Sequence, residues 1–242
     1  MKKIVSSILV LLFILSILVI TAGFASETGY SSPDEVVMVY LNSLKETNIE
    51  GMLGTFAVEN YVDNFNFEHF LSRIGFYSTT FDVKLPTTND FIRDIAIYDR
   101  LGAIADAIEL QYLALFAADS VVPGERTQLM SNSEISELTS LLGDQAHLQS
   151  LQSLDLIEYI APDDLSELYS LEINQQTIQN SAASHGADEI TSVAARVKID
   201  GNDYLFCFET VCYNGDWYLL SLGGNLSLLL EVPVLSSGIL PL

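Results

Sequence analysis

ITSVAARVKIDGNDYLFCFETVCYNGDWYLLSL, residues 190–222, opens with a period of two. Val193, Ala195, Val197 and Ile199 interleave with Ser192, Ala194, Arg196 and Lys198, the pattern of a half-buried strand. DGND then turns the chain, YLFCFETVCY returns it, and Asn214-Gly215 makes a second tight hairpin into DWYLLSL. The spacing predicts an antiparallel meander. In its middle strand Tyr204, Phe206 and Phe208 share one face, opposite Leu205, Cys207 and Val211. A strand that is apolar on both faces is covered on both. Cys207 and Cys212, five residues apart, point to opposite faces of that strand, with Cα atoms roughly 16 Å apart and beyond disulfide reach. They read as small buried apolar side chains.

One cover for the sheet is predicted from SSPDEVVMVYLNSL, residues 31–44. Ser32 can cap a helix whose first residue is Pro33, Glu35 can close a capping box, and Val37, Tyr40, Leu41 and Leu44 follow at helical spacing. That helix ends near Thr47, and Asn48 starts a second, short one with Ile49, Met52, Leu53 and Phe56 as its apolar face. Further on, a helix through Phe70, Leu71 and Ile74 should stop at Gly75. No proline lies between Pro86 and Pro123, and Phe91, Ile95, Tyr98, Leu101, Ala105, Ile108, Tyr112 and Leu115 repeat in steps of three and four. That is a long helix. Ile92, Ile97, Ile104 and Leu113 widen its stripe, so burial on more than one side is expected.

SNSEISELTSLLGD, residues 131–144, predicts a compact helix with Ser131 and Glu134 as capping box, Ile135, Leu138 and Leu142 as its face and Gly143 as stop. SLDLIEYIA, residues 153–161, is strand-like. A helical stretch from Pro162 through Leu165, Leu168 and Tyr169 should fade before SHGADE. The tail, residues 225–242, is apolar but interrupted by Pro233 and Pro241; packing against the sheet or a partner is expected of it.

The other end of the chain reads as an address. Lys2 and Lys3 precede an uncharged run and then TAGFAS, the three parts of a secretory signal with cleavage after Ala25. The same run is long enough to serve as an uncleaved membrane anchor. N-terminal sequencing of the exported chain separates the two. The protein is therefore expected to be secreted or extracytoplasmic, or else single-pass and anchored with its domain outside, touching membrane only through that segment.

The formal net charge of −22 excludes nucleic acid as a partner, because phosphate binding needs a cationic footprint. With 49% hydrophobic residues the chain can bury a sizeable core.

Two segments carry a family resemblance. Residues 32–56, SPDEVVMVYLNSLKETNIEGMLGTF, resemble the first helix pair of the nuclear-transport-factor-2-like superfamily: a capped start, Tyr40 and Leu44 inward, a polar break, then Phe56. Residues 196–222 are similar to the closing strands of exported bacterial members, with Gly215 in the turn followed by Trp217 and Tyr218. The resemblance implies an α+β fold, with N-terminal helices packed on a curved C-terminal antiparallel sheet that forms a cone with an apolar interior. Residues 67–142 have no counterpart in its compact form and read as a helical insertion, so a single domain at 26–242 is expected to follow the leader at 1–25.

Members of that superfamily include enzymes, ligand binders and interaction modules, so function must come from the site. A catalytic cone would need a titratable pair, Asp with His or Tyr. His69, His147 and His185 each sit in a polar or helix-edge context, and no HExxH, CxxC, nucleophile elbow or phosphate-cradling loop occurs. DNFNFEH (Asp63, Asn64, Asn66, Glu68) and DGND (Asp200, Asn202, Asp203) do not follow the calcium-loop pattern, and turn chemistry accounts for both.

No catalytic residue, metal ligand or cofactor is predicted. The aromatics remain: Tyr40, Phe56, Tyr204, Phe206, Phe208 and Trp217 are candidates to line an apolar groove for a protein partner or a small apolar ligand. A non-enzymatic extracytoplasmic binding module is the reading favoured here. A cone-fold hydrolase or isomerase and a membrane-tethered envelope scaffold are the alternatives.

Overall fold

A computed structural model of the chain describes residues 29–74, 85–116, 131–144, 146–233 and 236–242. The leader and the Gly75 stop lie outside the described residues, as do the side chains of Leu138 and Leu142.

Helix α1, Pro33–Lys45, begins where the Ser32 hydroxyl accepts from the Glu35 N–H at 3.2 Å and Pro33 has no N–H to satisfy. The Glu35 carboxylate closes on the Ser31 N–H at 2.8 Å rather than on Ser32, so the expected capping box is displaced by one residue. Asn48 caps α2, Ile49–Leu53. Next come α3 (Glu59–Asp63), α4 (Phe67–Ile74), the 27-residue α5 (Asp90–Phe116), α6 (Asn132–Leu142) and α7 (Ala146–Leu151). Ser131 and Glu134 form the expected capping box of α6.

Strand β1 (Asp155–Ile160) then leads through α8 (Pro162–Leu165) and α9 (Glu172–His185) into β2 (Glu189–Ile199), β3 (Asn202–Tyr213) and β4 (Asp216–Leu222). A short helix α10 (Gly224–Leu229) and strand β5 (Ile239–Pro241) close the chain. The fold is α+β: helices on an antiparallel sheet in the order β1-β2-β3-β4.

The meander forms as its pattern predicts. Asp200 and Gly201 join β2 to β3, and Asn214 and Gly215 join β3 to β4; all four have positive φ, as two-residue hairpins of this kind require. Register shifts at Leu156/Glu158 and at Glu209/Thr210 bend the flanking strands and curve the sheet. On one edge β3 pairs along its length with β2. Its other edge is shared, and Cys207 is the changeover: its carbonyl accepts from the Gly223 N–H at 2.8 Å after β4, and its N–H donates to the Gly238 carbonyl at 2.9 Å before β5.

Both sheet faces are covered. Val193, Ala195, Val197, Phe206, Phe208 and Leu219 pack against Val37, Tyr40 and Leu44 of α1 and Ile104 of α5. The opposite face, with Ala194, Leu205, Cys207 and Val211, packs against Ile178 and Ala182 of α9, Leu226 of α10 and Tyr169. The tail thus packs on the sheet, one of the two covers expected of it. The outer edge of β4 is covered as well: Tyr30 pairs with Trp217, and Ala57 donates to the Leu219 carbonyl while Leu219 donates to Thr55.

Two expectations need correction. The helix placed from Pro162 through Tyr169 is only the four residues of α8, and the longer α9 follows where a fading helix was expected. Gly186, in the left-handed conformation, stops α9. The long helix α5 buries only part of the stripe its sequence suggests: Leu101, Ile108, Tyr112 and Leu115 pack on the core, and the first three members do not. Ile97, Leu101, Ile104 and Ile108 face the core, whereas Phe91, Ile95 and Tyr98 face out.

Candidate functional site

Four of the six candidate groove residues meet in the core. Tyr40 contacts Phe56 edge-on at 5.9 Å between ring centroids and Phe208 at 5.6 Å, and Phe206 stacks on Phe208 at 6.2 Å. None of the four is more than 1% exposed, so the chain's own helices fill the space between them. The other two are less buried: Tyr204 packs against this same cluster, and Trp217 does not belong to it. Tyr204, half-buried, is opposite Val197 and Pro241, while Trp217 is opposite Cys212 near the far end of β3.

One polar link crosses this core. The Tyr40 hydroxyl donates to Oε1 of Gln111 at 2.6 Å, and Nε2 of Gln111 donates to the Ser237 carbonyl at 3.4 Å. Burial pushes the Tyr40 phenol far above its ordinary range, so it stays a neutral donor. Gln111 thereby ties α5 to α1 and to the C-terminal segment. No sequence signal marks it, since a glutamine among apolar neighbours reads as an interruption.

Several titratable groups are engaged in holding the fold. Arg93 donates to Asp63 at 2.5 Å and to Glu59 at 2.9 Å, which accounts for the acidic run around Asp63. Arg100 donates to the carbonyls of Ala57 and Leu220, the latter being the residue left over at the β4 register shift, and lies 4.2 Å over the Tyr61 ring. His185 packs on the other aromatics of that corner, 4.8 Å from Tyr61. His147 stacks on Phe116 and bonds the Leu141 carbonyl at 2.9 Å. Asp203 faces Arg196 and Lys198 at 3.5 and 3.8 Å. Among the described residues no three His, Cys, Asp or Glu side chains converge as a metal site would require. Both cysteines are free and buried, and burial pushes the Cys207 thiol up to about 11.

Glu209 is the carboxylate whose surroundings oppose its charge. Desolvation raises its pKa, against bonds from the Asn225 N–H and the Ser221 hydroxyl that lower it. An acid whose folded pKa is raised destabilises the fold above its unfolded pKa. The penalty is absent in acid and develops as pH rises from the ordinary carboxylate range through the folded value. Glu209→Gln is therefore expected to raise Tm at pH 7. The gain should vanish near pH 4 in thermal melts. An equal gain at both pH values would show that charge is not its cause.

The outward face of α5 is built differently. Phe91 is 74% exposed, Ile95 51% and Tyr98 66%. At 100° per residue they fall on one line with Gly102 and Ala105, about 120° away from the buried stripe. A Cβ on Gly102 would meet no atom within 4 Å. A second exposed apolar group comprises Leu168 and Leu171, between α8 and α9, and Ile173 in the first turn of α9. No described helix is long and apolar enough to cross a membrane.

Comparison with known proteins adds little to this geometry. No protein-family model matches the chain, and no curated protein matches it. Among solved structures it is similar to a cystatin-like protein from Ruminococcus gnavus, at 16% identity and a TM-score of 0.47. The match covers 86% of this chain and 44% of that one.

Proposed function

We propose that this protein is a non-enzymatic interaction module that works outside the cytoplasm and binds a partner through the outer face of α5. The observation that carries this reading is the line of Phe91, Ile95 and Tyr98, three large apolar side chains in water on one helix face. Single exposed apolar residues are ordinary, but an aligned set on a helix is a cost that a binding surface explains. The aromatics that could have lined an internal groove support it too, because four of them are committed to the core. The extracytoplasmic part of the reading rests on the order of charge, apolar run and small residues in 1–25.

Nile red, an uncharged apolar fluorophore, tests whether this face is available. Its emission should rise with the wild-type chain, and the Phe91→Ser/Tyr98→Ser variant should lose about half of that rise or more, the remainder belonging to Leu168, Leu171 and Ile173. An unchanged signal sinks the assignment of α5 as the binding face.

A further inference from the structure

The outer face of α5 carries more information than its apolarity. The exposed line Phe91, Ile95, Tyr98, Gly102 and Ala105 advances in steps of four, three, four and three, the spacing by which one helix packs along another. It runs about 21 Å along the axis at 1.5 Å per residue, or about four turns. Gly102 and Ala105 leave room at its C-terminal half for a partner's larger side chains, and Gly102 opens onto empty space.

The charges of α5 are sorted about that line. Its only cations, Arg93 and Arg100, project roughly opposite to it and are engaged within the chain, Arg93 with Asp63 and Glu59, Arg100 with the Ala57 and Leu220 carbonyls. The exposed carboxylates of Asp94 on one side, and of Asp99 and Asp106 on the other, flank the line at helical angles of about 60–80°. The apolar stripe is thus bordered on both sides by negative charge, and no cation of the helix faces it.

We infer, building on the interaction reading above, that the occupant of this face is an amphipathic helical segment of another protein, with an apolar seam of about four turns bordered by lysine or arginine. Complementary borders steer the encounter and fix the register, while the buried seam supplies the affinity. A second copy of this chain does not fit. Pairing two such faces sets Asp94, Asp99 and Asp106 against the same carboxylates of the other copy, and like charges juxtaposed across an interface are strongly unfavourable. An anionic surface is rejected on the same ground.

The test uses three synthetic helical peptides of equal length with leucine at heptad a and d positions, bordered by lysine, glutamine or glutamate, titrated against the full chain by fluorescence anisotropy. The lysine peptide should bind saturably, at least about tenfold tighter than the glutamine peptide and with no measurable binding by the glutamate one. Phe91→Ser/Tyr98→Ser should weaken the lysine peptide at least about tenfold. Asp94→Asn/Asp99→Asn should weaken it about threefold or more and flatten its salt dependence. Circular dichroism and Tm of both variants should match wild type, since none of the four side chains is buried.

Four results overturn the inference: no binding of the lysine peptide, equal binding by the glutamate peptide, equal binding to the serine variant, or self-association of the wild-type chain that the serine variant abolishes. The first two leave the interaction reading intact if Nile red still reports the stripe. If Nile red ignores the serine substitutions, that reading fails by itself.

Discussion

Gly238→Ala is expected to lower Tm by roughly 4–20 °C, because it sets a methyl group into backbone at the point where β3 changes partners. The residue has φ +81°, and a Cβ there would lie 2.6 Å from the Cys207 carbonyl oxygen and 2.6 Å from Gly223 N and Cα. The left-handed conformation costs an L-residue about 1–2 kcal/mol, and forcing extra volume into a packed site a further 1–3. The sum, about 2–5 kcal/mol, converts at about 2–4 °C per kcal/mol in a chain of this length. Gly201 is a matched control, with φ +82° and no atom within 4 Å of its Cβ position. Gly201→Ala should therefore show the conformational part alone, about 1–2 kcal/mol. Equal losses at the two positions would mean that contact with Cys207 and Gly223 adds nothing to the conformational cost.

That comparison also shows where the sequence was legible. Asp200-Gly201 and Asn214-Gly215 announce their hairpins because positive φ at two successive residues is a local demand that few residue pairs meet. Period-two alternation in β2 and two-sided apolarity in β3 follow from burial on one face or both, so the meander and its double cover could be read directly. Gly238 belongs to a tertiary contact with Cys207, thirty-one residues earlier in the chain, and nothing in SSGIL marks it. Helix α9 was missed for a related reason: in EINQQTIQNSAASH only Ile178 and Ala182 are buried, too thin a stripe to register as a period. In α5 the period revealed the helix but not its orientation. Phe91, Ile95, Tyr98 and Ile97, Leu101, Ile104 both keep helical steps, and only the position of the sheet decides between them. The proposed groove failed to appear as one open surface because the same aromatic side chains that suit a ligand also suit a core, and the chain supplied its own α1 and α5 to cover them.

Tyr40 is where that internal cover can be measured. Tyr40→Ala should cost about 3–5 kcal/mol, the range for removing a fully buried aromatic ring, and much of the chain should be unfolded at temperatures where wild type is intact. The ring packs edge-on against both Phe56 and Phe208. Tyr40→Phe separates the hydroxyl from the ring. It leaves Oε1 of Gln111 without its donor in a site 1% exposed, at a cost of about 1–3 kcal/mol. Adding Gln111→Met removes the orphaned acceptor at similar volume, so the double variant should recover most of what Tyr40→Phe loses, less the contribution of the weaker bond to the Ser237 carbonyl. Urea denaturation of the four chains of this cycle gives the coupling directly. A coupling near zero would mean that α5 is held on α1 by Ile104 and its apolar neighbours alone; a coupling of about 1 kcal/mol or more shows that the Tyr40–Gln111 bond adds to that packing in holding α5 on α1.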